Sequence, residues 1–479
     1  MELTSKLLRE INATISLNTK CDDKLSIEMG IPSIDSRKIT PGGTFFGLNA
    51  EERDGNDYFE DAIKNGAKIL ILNNTHREKF EKSEIVSKSN AVGIFVNDTR
   101  VALKKIGFYN RLSHSIPFIA VTGSNGKTTT KELIYAVLSE KFKVYKTEGN
   151  FNNDLGLPME LMKVTKQHEA AVFELGMSAP HEIENLAALV LPRIGIITCV
   201  GPAHIEFLKT LKNIANAKAE LIPKIDTQGA LVLNYDNNYT RKMASLFSGK
   251  VVGYSIDNKS AKLRAERLNI NESGFYDFWC VVKANGKKYE PFHVKLPLPG
   301  KHNVLNCLAA ISVGLEFGIP IENIANAINN FNGVKKRMEL VKLGSGITVL
   351  NDCYNANPLS MKSAIETIAE LPNVKRRVAV LGDMLELGTW SARAHGEIGK
   401  IAQKSGINIL ITVGEKSRQI DEAAISAGMD EKNVIHFDSS EETAKKINEI
   451  ITSGDLVLIK GSRRMKLENV FEALQGAKK

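Results

Sequence analysis

Cysteine, tryptophan and long apolar runs are scarce in this chain. Its 479 residues include five cysteines and two tryptophans. The cysteines are odd in number and far apart, which argues against a disulfide framework and against a metal cage built from thiolates. We therefore expect reduced thiols in a cytoplasmic protein. The five cysteines are Cys21, Cys199, Cys280, Cys307 and Cys353.

Signals for membranes and export are also missing. The sequence contains no apolar run as long as a membrane-spanning helix, which needs about 20 residues. Its first ten residues are amphipathic and lack the apolar centre of a secretory signal. We therefore expect no membrane insertion.

Positive charge is present but not concentrated. The formal net charge is +8, the basic residues are scattered among acidic ones, and clusters such as Lys375-Arg376-Arg377 are short. This distribution predicts no nucleic-acid partner, whereas a mildly basic surface suits an anionic nucleotide. We expect a monomer.

Short apolar runs alternate with helical patterns along most of the chain, which predicts an α/β fold with parallel sheets. The more polar stretch 250–298 is expected to form hairpins, followed by a helix from about His302 to Glu316. The length favours three domains: a smaller N-terminal α/β substrate domain (1–110), a central P-loop parallel-sheet domain (111–330) and a C-terminal Rossmann-like open sheet (331–479). The strand-like runs are Ile116–Thr122, Ala170–Glu174, Ile194–Val200, Ala230–Asn234, Val378–Leu381, Ile407–Val413 and Leu456–Ile459.

The most informative motif is Val-Thr-Gly-Ser-Asn-Gly-Lys-Thr-Thr-Thr, residues 121–130. It stands between a strand-like run and a helical pattern, so backbone N–H groups and a helix N-terminus surround a volume that suits a phosphate. Lys127 adds positive charge, and Thr128 adds a hydroxyl that can bind Mg²⁺. The plain alternative is a glycine turn with a solvated lysine. The predicted nucleoside triphosphate site comprises Gly123, Ser124, Asn125, Gly126, Lys127, Thr128 and Thr129.

Polar residues stand where the following strands end, and ligands of open parallel sheets bind there. Glu174 ends one apolar run, and a carboxylate in that place is costly unless it meets a cation such as Mg²⁺. His204 follows the next run, and Lys218 lies fourteen residues later. The residues alone leave plain alternatives open: a Glu174 carboxylate in water, a structural His204 and a solvated helical Lys218.

Together these features resemble the Mur ligases and their relatives, the folylpolyglutamate synthases. The loop has their shorter spacing, Thr-Gly-x-x-Gly-Lys-Thr-Thr, with Val121 where the commonest phosphate loop has glycine. The resemblance implies that Glu174 and His204 bind Mg²⁺ and that Lys218 carries a carbamate formed with CO₂. It implies a catalytic set of Lys127, His204, Lys218 and Arg337, with Arg337 reaching the γ-phosphate, and nucleotide contacts from Asn303, Asn306 and Asp352. The two asparagines also suit a helix N-cap and first turn.

Several segments are typical of the family members that add D-alanyl-D-alanine. They are Gly149–Pro158, Tyr354–Pro358, Gly382–Gly388 and Lys460–Arg463, while residues 35–48 resemble a UDP-binding domain. The sequence departs from the usual pattern at Asn56, Asn351 and Cys353, where His, Asp and Ser are usual. The substrate contacts implied by the resemblance are Ser36, Arg37, Asn152, Asn153, Tyr354, Asn355 and Asn357.

The implied activity is an ATP- and Mg²⁺-dependent amide ligation. ATP phosphorylates the terminal carboxylate of a UDP-N-acetylmuramoyl-tripeptide, and the amine of D-alanyl-D-alanine then displaces phosphate. A carboxylate and a γ-phosphate are both anions, so cations have to screen them. Two alternatives stay open: another ligase of the superfamily, either the third-residue ligase or a folylpolyglutamate synthase, and a nucleotide-switched binding or nucleic-acid protein.

Overall fold

The computed structural model describes residues 1–16, 26–49, 53–284, 287–288 and 290–476. They divide into two compact units. The first unit comprises Met1–Ala120, Phe142–Gly176 and Glu182–Pro192, and the second comprises Val121–Lys141, Met177–His181 and Arg193–Lys479.

The N-terminal part of the first unit alternates short strands and helices, as predicted. Parallel strands run in the order β7-β6-β5-β4, and β2 pairs antiparallel with β7. Phe46, Ile71, Ile94 and Leu103 belong to the core that joins this sheet to α5. The elements are β1 (Glu2–Thr4), α1 (Ser5–Glu10), β2 (Thr14–Ile15), β3 (Ser26–Glu28), β4 (Pro32–Ser33), β5 (Thr44–Phe46), α2 (Phe59–Lys64), β6 (Ile69–Asn73), α3 (Arg77–Glu81), α4 (Glu84–Ser87), β7 (Val92–Val96) and α5 (Thr99–Leu112).

The middle of the chain contributes strands to both units. Its elements are β8 (Phe118–Thr122), α6 (Lys127–Ser139), β9 (Val144–Lys146), α7 (Gly156–Met162), β10 (Ala170–Glu174), α8 (Glu182–Val190), β11 (Ile194–Ile197), α9 (Ile205–Leu208), α10 (Leu211–Ala219), β12 (Ala230–Asn234), α11 (Asn238–Lys242), β13 (Lys250–Ser255), β14 (Leu263–Ile270), β15 (Tyr276–Ala284), β16 (Lys287–Lys288), β17 (Phe292–Leu296), α12 (Lys301–Glu316) and α13 (Ile321–Asn329).

Parallel pairing dominates this region, as predicted. In the first unit β9 pairs parallel with β10. In the second unit β11, β12, β13 and β14 pair in parallel in that order. The expected hairpins are formed by β14, β15 and β17 and by β15 and β16. The hairpin prediction is wrong for β13, which extends the parallel sheet because its apolar residues are buried between β12 and β14.

The C-terminal part of the second unit is an open sheet with the strand order β18-β19-β23-β20-β21-β22. Strand β18 runs antiparallel to β19, and the other neighbours are parallel, which confirms the predicted α/β class. Its core includes Val349, Val380, Ile411 and Val457. The elements are β18 (Glu339–Lys342), β19 (Thr348–Asn351), α14 (Pro358–Glu370), β20 (Arg376–Gly382), α15 (Ser391–Lys404), β21 (Ile409–Val413), α16 (Arg418–Ser426), β22 (Val434–Phe437), α17 (Ser440–Ile450), β23 (Asp455–Lys460) and α18 (Glu468–Gly476).

The cysteine side chains Cys199, Cys280, Cys307 and Cys353 are free thiols, and Cys21 lies outside the described residues. Within the described part of the chain, each helix is too short or too polar to cross a membrane.

Candidate active site

The phosphate loop lies between β8 and α6, where the sequence predicts it. Gly123 and Gly126 have φ angles of +149° and +81°. An added Cβ would lie 1.9 Å from Oγ1 of Thr198 at Gly123, and 2.3 Å from Oδ1 of Asn306 at Gly126, so both positions need glycine. Gly126 supplies no side-chain cap to α6. The N–H groups of the first turn of α6 are therefore directed at the volume that suits a phosphate.

The segment after β11 holds this loop from one side. The hydroxyl of Ser124 accepts a hydrogen bond from the N–H of Gly201 at 2.9 Å and donates to the Gly201 carbonyl at 3.0 Å. Oγ1 of Thr198 donates to the carbonyl of Asn125 at 2.5 Å. Strand β11 ends at Ile197, sooner than predicted, because the residues that follow turn to contact the loop.

Positive charge lies at the start of α6. Nζ of Lys127 donates to the carbonyl of Gly123 at 2.9 Å. Oγ1 of Thr128 accepts a long hydrogen bond of 3.5 Å from the guanidinium of Arg337, and the next residue, Thr129, is buried. Two cations and a hydroxyl at a helix N-terminus form an environment that stabilises a polyphosphate.

A strained turn presents Arg337. Its neighbours Lys336 and Met338 have φ angles of +60° and +50°, which is costly for residues with a side chain. The guanidinium carbon of Arg337 lies 3.9 Å from the centre of the Tyr354 ring, close enough for a cation–π interaction. Oδ1 of Asp352 accepts from the N–H of Met338 at 3.2 Å. Tyr354 and Asp352 therefore hold the side chain and the turn of Arg337.

The sequence did not assign a role to Lys460, which is almost fully buried. Its ammonium donates to Oδ2 of Asp352 at 2.5 Å and to the carbonyl of Asn355 at 2.9 Å. A buried ammonium needs such partners. The Lys-Gly-Ser-Arg segment that begins at Lys460 was the sequence signal that could have pointed to this role. In the structure its lysine holds Asp352 in place.

Asn303 and Asn306 lie in the first two turns of α12 and are buried. Nδ2 of Asn303 donates to the carbonyl of Pro299 at 2.8 Å, and its Oδ1 accepts from Nδ2 of Asn306 at 2.9 Å. Oδ1 of Asn306 accepts from the hydroxyl of Thr130 at 3.2 Å. Gly300, not an asparagine, occupies the cap position of α12. These bonds support α6, and the adenine contact stays a prediction.

Lys218 lies on α10 with its side chain buried, so the solvated alternative is wrong. Burial, followed by the charge of Lys127, lowers the pKa of Lys218 to about 7. Sγ of Cys199 lies nearby, 3.7 Å from the carbonyl of Asn125, and burial raises the pKa of this thiol. A neutral amine is therefore accessible at Lys218 near neutral pH.

His204 follows β11 and has a φ angle of +57°. Its Nδ1 lies 2.6 Å from Oε2 of Glu386, whose own φ angle is +61°. The hydrogen bond from His204 holds the pKa of Glu386 below its usual value. Glu386 was not among the predicted site residues, although its segment was noted, and it fixes the orientation of the imidazole.

Glu174 ends β10 in the first unit and is 3% exposed, so it is not a carboxylate in water. Its Oε1 accepts from Nδ2 of Asn152 at 2.8 Å. The carbonyl of Asn152 accepts from the N–H of Gly176, and Oδ1 of Asn153 accepts from the N–H of Gly156, both at 2.8 Å. The structure therefore joins a predicted metal ligand to a predicted substrate-binding loop.

The predicted metal ligands are divided between the two units. Thr128, His204 and Lys218 belong to the second unit, and Glu174 belongs to the first. Among the described residues, no three side chains of His, Cys, Asp or Glu are grouped so that they could hold a metal ion. Mg²⁺ commonly keeps water and phosphate oxygens as ligands, so the metal site stays a prediction.

Two predicted substrate contacts of the first unit, Ser36 and Arg37, are adjacent but differ in exposure, because Ser36 is buried and the Arg37 side chain is exposed. Ser36 and Arg37 lie in a short 3₁₀ helix that is capped by Asp35. The Arg37 side chain is 84% exposed and contacts the Asp35 carboxylate at 2.9 Å, which lowers the pKa of Asp35. The carbonyl of Ser36 accepts from Nδ2 of Asn65 at 3.0 Å.

The departures from the family pattern are built into hydrogen-bond networks or the core. Oδ1 of Asn56 accepts from the N–H of Asn73 at 2.8 Å, and its Nδ2 donates to Oδ1 of Asp54 at 2.7 Å. Nδ2 of Asn351 donates to Glu339 at 3.1 Å, and Cys353 is buried.

Asn357 is the N-cap residue of α14 and also contacts the phosphate loop. Its amide forms two hydrogen bonds with the amide of Asn125, of 3.2 Å and 2.7 Å. The structure thus brings Asn357, Tyr354 and Arg337 to the phosphate loop and the start of α6.

Family models match the chain in three stretches. Residues 30–108 match the model described as the Mur ligase family, catalytic domain, residues 121–314 match the Mur ligase middle domain, and residues 336–463 match the Mur ligase, glutamate ligase domain. Three matched stretches confirm the predicted three-domain organisation.

Known proteins resemble the chain over nearly its whole length. The UDP-N-acetylmuramoyl-tripeptide–D-alanyl-D-alanine ligase of Bacillus subtilis is 33% identical, and the match covers 92% of each chain. A crystal structure of MurF from Acinetobacter baumannii superposes with a TM-score of 0.83 at 26% identity, covering 99% of both chains. The crystal structure of MurF from Thermotoga maritima in complex with ADP superposes with a TM-score of 0.77 at 25% identity, covering 93% of this chain and 97% of that one. The phosphate-loop geometry, the three matched domains and these full-length similarities lead to one conclusion: this chain belongs to the Mur ligase family.

Proposed function

We propose that this chain is an ATP-dependent amide ligase that joins D-alanyl-D-alanine to UDP-N-acetylmuramoyl-tripeptide through an acyl phosphate. The product would be the pentapeptide precursor of peptidoglycan. The observation that carries the proposal is the match to the Bacillus subtilis ligase, which is named for this reaction, over 92% of both chains.

The phosphate loop supplies the ATP side of this reaction. Backbone N–H groups at the start of α6 and the ammonium of Lys127 bind the phosphates. The Thermotoga maritima relative is described with ADP bound, which supports adenine nucleotide use by this chain. Asn303, Asn306 and Asp352 complete the proposed nucleotide contacts.

The central difficulty of the reaction is that a carboxylate has to approach a γ-phosphate of the same charge sign. Lys127 and Arg337 both lie beside Thr128 at the start of α6. Positive charge held in place before the reaction stabilises the charge that develops on the transferring phosphoryl group. Tyr354 contributes by holding the Arg337 guanidinium in position.

We propose that Thr128, Glu174, His204 and carbamylated Lys218 hold Mg²⁺. Three of these residues offer the oxygen ligands that Mg²⁺ prefers, and His204 offers a nitrogen. The buried ammonium of Lys218, whose pKa is about 7, loses one proton to give the neutral amine. The amine can then add CO₂ and release a second proton, which leaves an anionic carbamate in place of a cation. When bound, Mg²⁺ would screen the negative charges of the two reacting groups.

The remaining assignments belong to the same proposal. We propose domain boundaries at 1–110, 111–330 and 331–479, a cytoplasmic location and a monomeric state. Contacts to the UDP-linked peptide and to D-alanyl-D-alanine are assigned to Ser36, Arg37, Asn152, Asn153, Tyr354, Asn355 and Asn357.

The test is phosphate release from ATP with UDP-N-acetylmuramoyl-tripeptide, measured with and without D-alanyl-D-alanine and with and without Mg²⁺. We expect release to require all components, with the pentapeptide product detected by mass spectrometry. Parallel assays supply UDP-N-acetylmuramoyl-dipeptide with a diamino acid, or a folate with glutamate. Turnover in either parallel assay without turnover of the tripeptide would replace the proposed substrate by that of a neighbouring ligase.

A further inference from the structure

We propose that Asn357 positions the phosphate loop for nucleotide binding through its paired amide contact with Asn125. Nδ2 of Asn357 donates to Oδ1 of Asn125 at 2.7 Å, and Nδ2 of Asn125 donates back to Oδ1 of Asn357 at 3.2 Å. In this pair each amide uses both a donor and an acceptor, so the two side chains fix one another's orientation. The inference rests on the nucleotide site of the proposed function and adds a role for Asn357 besides substrate contact.

The amide of Asn357 is held rigidly by its own helix. Its Oδ1 also accepts from the N–H of Ser360 at 2.9 Å, and the hydroxyl of Ser360 accepts from the N–H of Asn357 at 3.0 Å, which completes a capping box. Pro358 at the first helical position restricts the backbone further. Little side-chain entropy is therefore lost when Asn357 pairs with Asn125.

The loop benefits from such a contact because it is rich in glycine. Gly123 and Gly126 lose more backbone entropy than other residues when the loop becomes ordered. Asn125 lies between them, and its carbonyl accepts from Oγ1 of Thr198 at 2.5 Å. Thr198 thus fixes the backbone of Asn125, while Asn357 fixes its side chain.

A second contact supports the same function. The first turn of α14 also places Leu359 against Gly201, where an added Cβ would lie 2.8 Å from Cδ2 of Leu359. Gly201 exchanges two hydrogen bonds with Ser124, the residue before Asn125. Helix α14 therefore approaches two neighbouring loop residues, one directly and one through Gly201.

This arrangement has a measurable consequence. When a loop is already ordered before the nucleotide binds, no binding free energy is spent on ordering it, so the affinity is higher. Loss of the amide pair should therefore weaken the binding of ADP in the absence of any peptide substrate. The effect should also appear as faster hydrogen exchange in residues 123–130.

The experiment uses Asn357→Ser and Asn125→Ala in the full chain, with ADP and Mg²⁺ titrated by calorimetry. Serine still caps a helix well, but its side chain is too short to pair with Asn125. We expect each variant to raise the Kd for ADP about tenfold, on the scale of losing two partly buried hydrogen bonds. The double variant should bind no more weakly than the weaker single variant, because both changes remove the same contact.

Ser360→Ala is the matched control. It removes the Ser360 hydroxyl and lowers the stability of α14, but it keeps the backbone N–H of Ser360 that orients the Asn357 amide. The Asn125–Asn357 pair is therefore kept, and we expect wild-type ADP affinity. Unchanged ADP affinity in Asn357→Ser, or effects of the two changes that simply add, would overturn the positioning role. Absence of ADP binding in the wild type would instead overturn the proposed function, and this inference with it.

Discussion

The phosphate loop and the side chain of Arg37 are assigned to different substrates of the proposed reaction, and their surroundings differ. The loop side chains Ser124 and Asn125 are already hydrogen-bonded to protein groups from other elements of the second unit. The Arg37 side chain, in contrast, is 84% exposed and contacts the carboxylate of Asp35, two residues away.

This difference separates two kinds of binding residue. At the loop, one set of bonds maintains the fold and arranges the proposed nucleotide contacts, so a substitution there should affect stability and binding together. At the exposed side chain of Arg37, a substitution should affect binding alone. Both sites can be recognised in the sequence. Only the buried side chains of the loop, however, are expected to link the stability of the fold to ligand binding.

Lys127→Ala should give the largest effect, because Lys127 combines loop geometry with charge. We expect kcat to fall by about 10³-fold or more, the scale of removing a cation from a transferring phosphoryl group. Turnover and thermal unfolding are measured together. Lys404→Ala changes an exposed lysine of α15 and should behave like the wild type. A folded Lys127→Ala variant with normal turnover would refute the role of the loop in catalysis.

Lys218→Ala should come next, with a loss of activity of about 10- to 100-fold. The pKa of Lys218 is lowered to about 7, so the neutral amine that adds CO₂ prevails above that pH and is lost as the pH falls below it. Carbamate occupancy, measured by NMR with ¹³C-bicarbonate, should therefore rise as the pH increases through about 7.

Acetate should partly restore activity to Lys218→Ala by occupying the vacated anion position. Lys212→Ala, an exposed lysine of the same helix, is the matched control and should need no acetate. A Lys218→Ala variant with full activity, or the absence of a carbamate signal at pH 8, would remove the carbamate from the proposed mechanism.

The sequence was most informative where a motif had a local structural consequence. Gly123 and Gly126 predicted the loop because only a glycine-rich turn leads from a strand into an uncapped helix in this way. The strand ends at Glu174 and Asn234 were predicted correctly, because continuous apolar runs mark buried parallel strands.

What the sequence could not provide were contacts between distant segments. The 232 residues that separate Asn125 from Asn357 leave no periodic signal. The same holds for His204 with Glu386, and for Lys460 with Asp352. The parallel pairing of β13 was missed because the polar composition of residues 250–298 as a whole hid one short apolar strand, which pairs with β12 on one side and with β14 on the other.

Asn303→Ala tests whether a buried residue beside the phosphate loop affects both the stability of the fold and the binding of ADP. Removing this amide leaves the Pro299 carbonyl and Nδ2 of Asn306 without their partner, at a cost of roughly 1–3 kcal/mol for each buried group. We expect a lower free energy of unfolding in urea together with weaker ADP binding and little change in kcat. Asn326→Ala, at an exposed position of α13, should change neither. Weaker ADP binding at unchanged stability would favour a pure adenine contact, and lower stability at unchanged affinity would exclude that contact.

Arg37→Ala should give the smallest effect and tests the exposed side. Because the guanidinium is solvated and its ion pair with Asp35 lies at the surface, its removal should leave the thermal unfolding temperature unchanged. If Arg37 contacts the anionic UDP group, the KM for UDP-N-acetylmuramoyl-tripeptide should rise by about fivefold, the upper scale of an exposed charged contact, with kcat and the KM for ATP unaltered. This rise should shrink at high salt, because exposed charges are screened.

Lys38→Ala is the control, because it removes the neighbouring positive charge from a side chain that is 80% exposed. It distinguishes a specific contact of Arg37 from a general loss of positive potential. An equal rise in KM for both variants would reduce the role of Arg37 to that general potential. A loss of stability in Arg37→Ala would contradict the contrast between the hydrogen-bonded loop and the exposed arginine.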